Sequence, residues 1–79
     1  MATKSFKIGE YCIGGIIKVE IKKDTVIFQA LDYHSKNEVL NFTYSIKDIN
    51  LRDVWFSLTE LTTSYYADKI IDWIKLKIK

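Results

Sequence analysis

Apolar and polar positions follow two different periods along this chain, and the change falls between residues 46 and 50. In "IIKVEIKK" (16–23), Ile17, Val19 and Ile21 alternate with Lys18, Glu20 and Lys22. That is the period-two signature of a strand with one buried face. Lys23 and Asp24 then make a tight turn. "TVIFQALDYH" (25–34) is mostly apolar on both faces, which fits a central strand. "SKNE" (35–38) is built from turn formers. "VLNFTYSI" (39–46) alternates again, with Leu40, Phe42, Tyr44 and Ile46 on one face and Asn41, Thr43 and Ser45 on the other. Upstream, "FKIGEY" (6–11) reads as an edge strand. The expectation is an antiparallel meander of about four strands over residues 5–46.

Beyond Ile46 the period becomes helical. Asn50 is a good helix N-cap with Asp53 at the third helical position, and Ile49 and Val54 are spaced as a hydrophobic staple. Leu51, Val54, Trp55, Leu58, Leu61 and Tyr65 form one helical stripe; Tyr66, Ile70, Trp73, Ile74 and Ile78 form another, out of phase with the first. The slip at "TTS" (62–64) predicts two helices, about 50–62 and 64–77. Asp68 near the start of the second helix and Lys75, Lys77 and Lys79 near its end suit its dipole. A competing reading makes "DVWFSL" (53–58) a fifth strand, with Ser57 and Glu60 capping a single final helix. Sheet first and helices last is an α+β layer architecture, expected to form one domain over residues 1–79.

All three glycines, Gly9, Gly14 and Gly15, sit at the mouth of the sheet in a chain without proline. "IGG" (13–15) is too short for a phosphate-cradling loop and leads into a strand, not a helix. Gly9 is expected at a bulge in the edge strand, and Gly14 and Gly15 at the bend into the next one.

Composition narrows the classes. The chain has 79 residues, is 48% hydrophobic and 14% aromatic, and carries a net charge of +2. That is rich enough for an ordered fold, and it leaves apolar surface that self-association would hide. One cysteine, Cys12, and one histidine, His34, exclude an intramolecular disulfide and supply too few ligands for a metal cluster. No metal or cofactor is expected. No apolar run approaches the ~20 residues of a membrane span, and no secretory leader is evident. A cytoplasmic protein of a reducing compartment follows. The Ile- and Lys-rich composition suits an AT-rich genome such as a phage's.

Catalytic chemistry is sparse. Cys12 and His34 are the one nucleophile–base pairing on offer, on different expected strands with no mark of an activated thiol. They read as a small hydrophobe and a strand-end residue. Asp24, Asp32, Glu38 and Asp48 read as solvated turn acids. A non-enzymatic binding domain is expected. The open strand face is more informative: Lys18 and Lys22, sharing a face with Glu20 and joined by Lys7, Gln29, Tyr33, Asn41 and Thr43, combine cations for phosphates with a ring for base stacking. The amphipathic tail "DKIIDWIKLKIK" reads as a core or dimer helix.

The opening Phe6-x-Ile8-Gly9, the alternating Ile17-Lys18-Val19, the third strand closing on Asp32-Tyr33, and the helix approach "INLRDVW" (49–55) resemble the single-stranded-DNA-binding domain of the transcriptional coactivator positive cofactor four. The resemblance covers residues 6–61. It implies a curved four-stranded antiparallel sheet followed by a helix, acting as a homodimer that binds single-stranded DNA across the sheet. It carries phosphate and stacking roles to Lys7, Lys18, Lys22, Lys23 and Tyr33. Departures are Glu20 and Leu31 where basic residues are usual, His34 where a stacking Trp stands, the "CIGG" insertion (12–15), and the helical extension after Ser64. The alternative is a small phage-type protein-interaction module working through Trp55, Tyr65, Tyr66 and Trp73.

Overall fold

A computed structural model describes residues 2–10, 12 and 14–78. The elements run β1 (Ala2–Lys7), β2 (Ile16–Ile21), β3 (Thr25–Leu31), β4 (Glu38–Ser45), α1 (Leu51–Leu61) and α2 (Ser64–Lys77). The four strands pair in sequence order, each antiparallel to the next. The fold is α+β, an antiparallel sheet followed by two C-terminal helices.

Alternation fixes the faces. Phe6 of β1, Ile17, Val19 and Ile21 of β2, and Val26, Phe28 and Ala30 of β3 are buried with Val54, Leu58 and Leu61 of α1 and Ala67, Ile70, Ile71 and Ile74 of α2. Both helices therefore lie on one face of the sheet. Each fully buried Leu, Ile, Val or Phe in this layer contributes about 1.5–3 kcal/mol. The first and last elements also meet, the Phe6 ring standing edge-on to Trp73 with centroids 6.3 Å apart.

The N-cap signal of α1 acts as read, whereas Asp68 lies beyond the first turn of α2, where the Trp55 indole donates to it. Asn50 Oδ1 accepts from the amides of Arg52 (3.0 Å) and Asp53 (3.3 Å) and starts α1. Thr63 Oγ1 accepts from the Tyr66 amide and starts α2. The chain is extended at Thr62 and Thr63, which separates the helices. Residues 53–58 lie within α1, so the competing reading, a fifth strand followed by a single final helix capped by Ser57 and Glu60, is wrong: the Asn50 cap begins a helix that buries Val54 and Leu58. Lys75 and Lys77 occupy the last turn of α2; Lys79 lies outside the described residues.

The bounds of two strands differ from expectation. The edge strand covers Ala2–Lys7 rather than residues 6–11, because the full length of β2 is matched by Ala2↔Ile21 through Lys7↔Ile16. Gly9 consequently stands past the strand, not in a bulge. Its φ of 150° is one that side chains other than glycine's rarely adopt. Tyr11, in the expected strand, and Ile13 of "CIGG" lie outside the described residues. The other strand, β3, ends at Leu31, because the Asp32 carboxylate accepts from the amides of His34 (3.0 Å) and Ser35 (2.8 Å) and folds residues 32–35 into a turn.

Gly14 and Gly15 do mark the bend into β2, and close approach explains both. The Gly15 carbonyl accepts from the Ile8 and Gly9 amides at 2.9 and 3.2 Å, while the Gly14 amide donates to the Leu61 carbonyl at the end of α1 at 3.2 Å. A Cβ on Gly15 meets Tyr33 Cβ at 2.7 Å, Gly9 O at 3.0 Å and the Tyr33 amide nitrogen at 3.1 Å. A Cβ on Gly14 meets the flexible end of Ile17 first, at 2.6 Å. Gly15→Ala is expected to cost about 1–3 kcal/mol in urea unfolding, and Gly14→Ala less. Equal losses at both positions, or none at Gly15, contradict this account.

The Thr62 hydroxyl is buried and has no hydrogen-bond partner among the described residues. Thr62→Val keeps the shape, suits the extended backbone and removes that unpaired group. A gain of about 1 kcal/mol in unfolding free energy is expected; a loss of that size contradicts it.

Candidate nucleic-acid interface

The strand register arranges the face opposite the helices into three rows. Thr3, Glu20, Ile27 and Thr43 form one; Ser5, Lys18, Gln29 and Asn41 the next; Lys7, Ile16, Leu31 and Glu38 the third. Lys18, Gln29 and Asn41 are thus cross-strand neighbours, and Lys7 stands one row away. The floor beside them is apolar, with Ile16 buried and Ile27 and Leu31 half-buried.

Lys22, Lys23 and Tyr33 lie at opposite ends of this surface. Lys22 and Lys23 occupy the β2–β3 turn, where the Lys22 amide donates to the Thr25 carbonyl at 2.8 Å. Tyr33 lies beyond the other end of β3, a strand of seven residues and so about 23 Å long. Tyr33 sits against Gly15. Its ring is capped by Lys36, whose Nζ lies 5.1 Å from the centroid and donates to the Tyr33 carbonyl. The structure brings Lys7 and Lys18 together on the open face and sets Lys22 with Lys23 at one end and Tyr33 at the other.

Two anions temper the positive charge. Glu20 Oε1 lies 3.8 Å from Lys22 Nζ. Glu38 accepts from the amides of Asn41 (3.0 Å) and Gln29 (2.9 Å), which hold its carboxyl below the usual range. Three-dimensional convergence also adds cations the linear pattern did not assign. Lys77 of α2 shares a cleft of about 670 Å³ with Lys22 and Lys23, floored by Ile21, Ile46 and Ile78. In the sequence, Lys77 reads only as a helix-end charge.

His34 is tied to Glu10, Nε2 to Oε2 at 2.8 Å. This pins the loop after β1 to the β3–β4 turn. The two side chains are 71% and 47% exposed, so the pair stands in solvent without the enclosure that makes such a dyad an effective base. Cys12 is half-buried on the same loop. Among the described residues, no three His, Cys, Asp or Glu side chains are grouped to hold a metal ion, and no helix is long and apolar enough to cross a membrane.

The aromatic residues of the helical layer divide. Trp55 is half-buried, its indole N–H donating to Asp68 at 2.7 Å. Tyr66 and Trp73 are half-buried. Tyr65 is 61% exposed with Lys69 Nζ over its ring at 4.8 Å. Phe56, which the helical stripe left out, is 52% exposed and lines with Trp55 a groove of about 490 Å³ between α1 and α2.

Two exposed carboxylates, Asp32 in the β3–β4 turn and Glu38 at the start of β4, bear on the acid side of the stability profile. The amide and hydroxyl of Ser35, then the His34 amide, hold Asp32 below its ordinary value, as the two amides hold Glu38. Groups with a depressed folded-state pKa stabilise fully above their unfolded pKa and lose that contribution as pH falls through the folded one. The urea midpoint is therefore expected to fall as pH drops below the ordinary carboxylate range. The double variant Asp32→Asn, Glu38→Gln flattens this acid limb. An unchanged limb assigns the acid sensitivity to other groups.

The chain was compared with protein-family models, with curated proteins and with solved structures, and none of the three comparisons gave a match.

Proposed function

We propose that this chain is a non-enzymatic binding domain that takes single-stranded nucleic acid on its open sheet face. The observation that carries this reading is the uncovered face itself. Both helices lie on the other side, and the bare surface offers Lys7 and Lys18 above an apolar floor, with the amides of Gln29 and Asn41 in the same row as Lys18. Cations track phosphates without reading sequence, while amides and apolar surface meet bases. Lys22 and Lys23 extend the cationic path at one end, and Tyr33 supplies a stacking ring at the other. The likeness of residues 6–61 to the positive cofactor four domain points the same way, as do Lys7, Lys18, Lys22, Lys23 and Tyr33 at its phosphate and stacking positions.

Fluorescence anisotropy with a labelled single-stranded oligonucleotide tests the reading. Binding is expected at low salt, its logarithm falling linearly with the logarithm of salt concentration by about 0.7 per phosphate neutralised. Lys18→Glu reduces that slope by about one contact or more. Tyr33→Ala weakens binding by about 1–3 kcal/mol, the worth of one stacked base. Absence of binding at low salt, or binding indifferent to Lys7→Glu and Lys18→Glu, removes the reading.

A second reading, a protein-interaction module, is favoured by exposed Phe56 beside Trp55 in the groove between the helices. Exposed aromatic surface of this kind marks protein interfaces. A single protein retained from nuclease-treated lysate by the wild type but not by Phe56→Lys, in a chain that ignores oligonucleotides, replaces the first reading with this one.

A further inference from the structure

The sheet has two edges, and the chain treats them differently. The β1 edge carries Lys4 and Lys7, and its Phe6 is covered by Trp73 of α2. A lysine on an edge strand discourages pairing with another chain, because its charge would have to be desolvated. The β4 edge has no such guard. It is the longest strand, eight residues, "EVLNFTYS", and its one charged residue is Glu38 at the very start. That carboxylate is held by Gln29 and Asn41. Residues 39–45 contain no charge and no proline. Every second residue of an edge strand turns its amide and carbonyl away from its one partner, so β4 presents an unused ladder from Leu40 to Ser45, beyond the register break that skips Val39.

The helical layer also stops short of β4. On the helix side, β2 and β3 residues are at most 6% exposed, from Val19 and Val26 at 0% to Ile21 at 6%, whereas Leu40 of β4 is 40% exposed. Phe42 and Tyr44 are half-buried, and Val39 is 48% exposed. An uncharged edge and an apolar flank thus coincide on one strand.

We infer that β4 is the contact between two copies of this chain, paired antiparallel to form one continuous eight-stranded sheet. The strand is complementary to itself. A two-fold axis through Phe42, perpendicular to the sheet, sets Phe42 opposite Phe42, Leu40 opposite Tyr44 and Asn41 opposite Thr43, all within the regular part of the strand. Opposed residues of an antiparallel pair share a face. The helix side therefore gains an unbroken apolar row from Leu40, Phe42 and Tyr44 of both copies. The open side gains only neutral polar groups. Glu38 falls outside the uncharged pairs, so no like charges meet. A two-fold contact of this kind uses one patch twice and closes on itself, leaving a dimer and not a fibre. The second copy also brings its own Lys7 and Lys18 to the same open face. That last consequence bears on nucleic acid only through the reading proposed above; the pairing stands without it.

Sedimentation equilibrium of the full chain over a wide concentration range reads the mass directly. The expected species has twice the 9.3 kDa chain mass. Thr43→Lys and Val39→Lys, both at exposed β4 positions, are expected to weaken association by about tenfold or more, with circular dichroism unchanged. Thr3→Lys on the β1 edge leaves it intact. Amide exchange of β4 in the unaltered protein slows with concentration, which keeps the inference testable even where a variant unfolds. A monomer throughout the range overturns it. So does a dimer that both β4 lysines leave unaffected, or one whose β4 amides exchange at a rate independent of concentration. None of these measurements involves an oligonucleotide, so pairing and nucleic-acid binding fail separately.

Discussion

One apolar surface organises the molecule. Ile17, Val19 and Ile21 of β2 and Val26, Phe28 and Ala30 of β3 point the same way because strand side chains alternate. Against them α1 buries Val54, Leu58 and Leu61, and α2 buries Ala67, Ile70, Ile71 and Ile74. The two helices have no second sheet face to share, so their stripes converge on this one. A chain this short buries a modest fraction of its surface, and with one cysteine it forms no intramolecular disulfide, so that single layer carries the fold. A surface committed wholly to one side leaves the other side of the sheet without a helical cover, and it leaves the far strand, β4, half-covered.

Most of the fold was legible because its signals are local. Alternation in residues 16–23 and 39–46 gave two strands, Asn50 gave the start of α1, and the phase slip at residues 62–64 gave the break between the helices. The errors have equally local reasons. The first strand is "ATKSFK", in which Phe6 alone is buried, so its alternation is nearly silent and its extent is set by the length of β2. The end of β3 is decided by the Asp32 side chain capping the next two amides but one, a choice between ladder and turn that apolar patterning does not register.

The candidate interface was legible in its parity and not in its geometry. Alternation places Lys18, Gln29 and Asn41 on one face, and the register sets them side by side. The distance between the Lys22–Lys23 turn and Tyr33 follows from strand direction, which composition does not carry. Contacts between remote segments were invisible for the same reason: His34 on Glu10, and Lys77 beside Lys22 and Lys23, join residues that no periodicity relates. Phe56 was missed because it lies outside the apolar stripe of α1, and a residue off the buried stripe becomes visible as surface only when the packing is known.

The contact of Phe6 with Trp73 has a consequence for how the chain folds. Every strand pairs with its neighbour in sequence, so the meander assembles from short-range closures of low entropic cost, a topology associated with fast folding. Joining the first strand to the last helix instead closes a loop of sixty-odd residues, at an entropic cost of about 4 kcal/mol. Burial in the shared core has to offset that closure. The two ends of the chain are therefore held by each other: fraying of the first strand uncovers the last helix, and trimming the last helix loosens the first strand. Proteolysis or hydrogen exchange at one end reports on the other, which makes the two termini one cooperative unit rather than two independent tails.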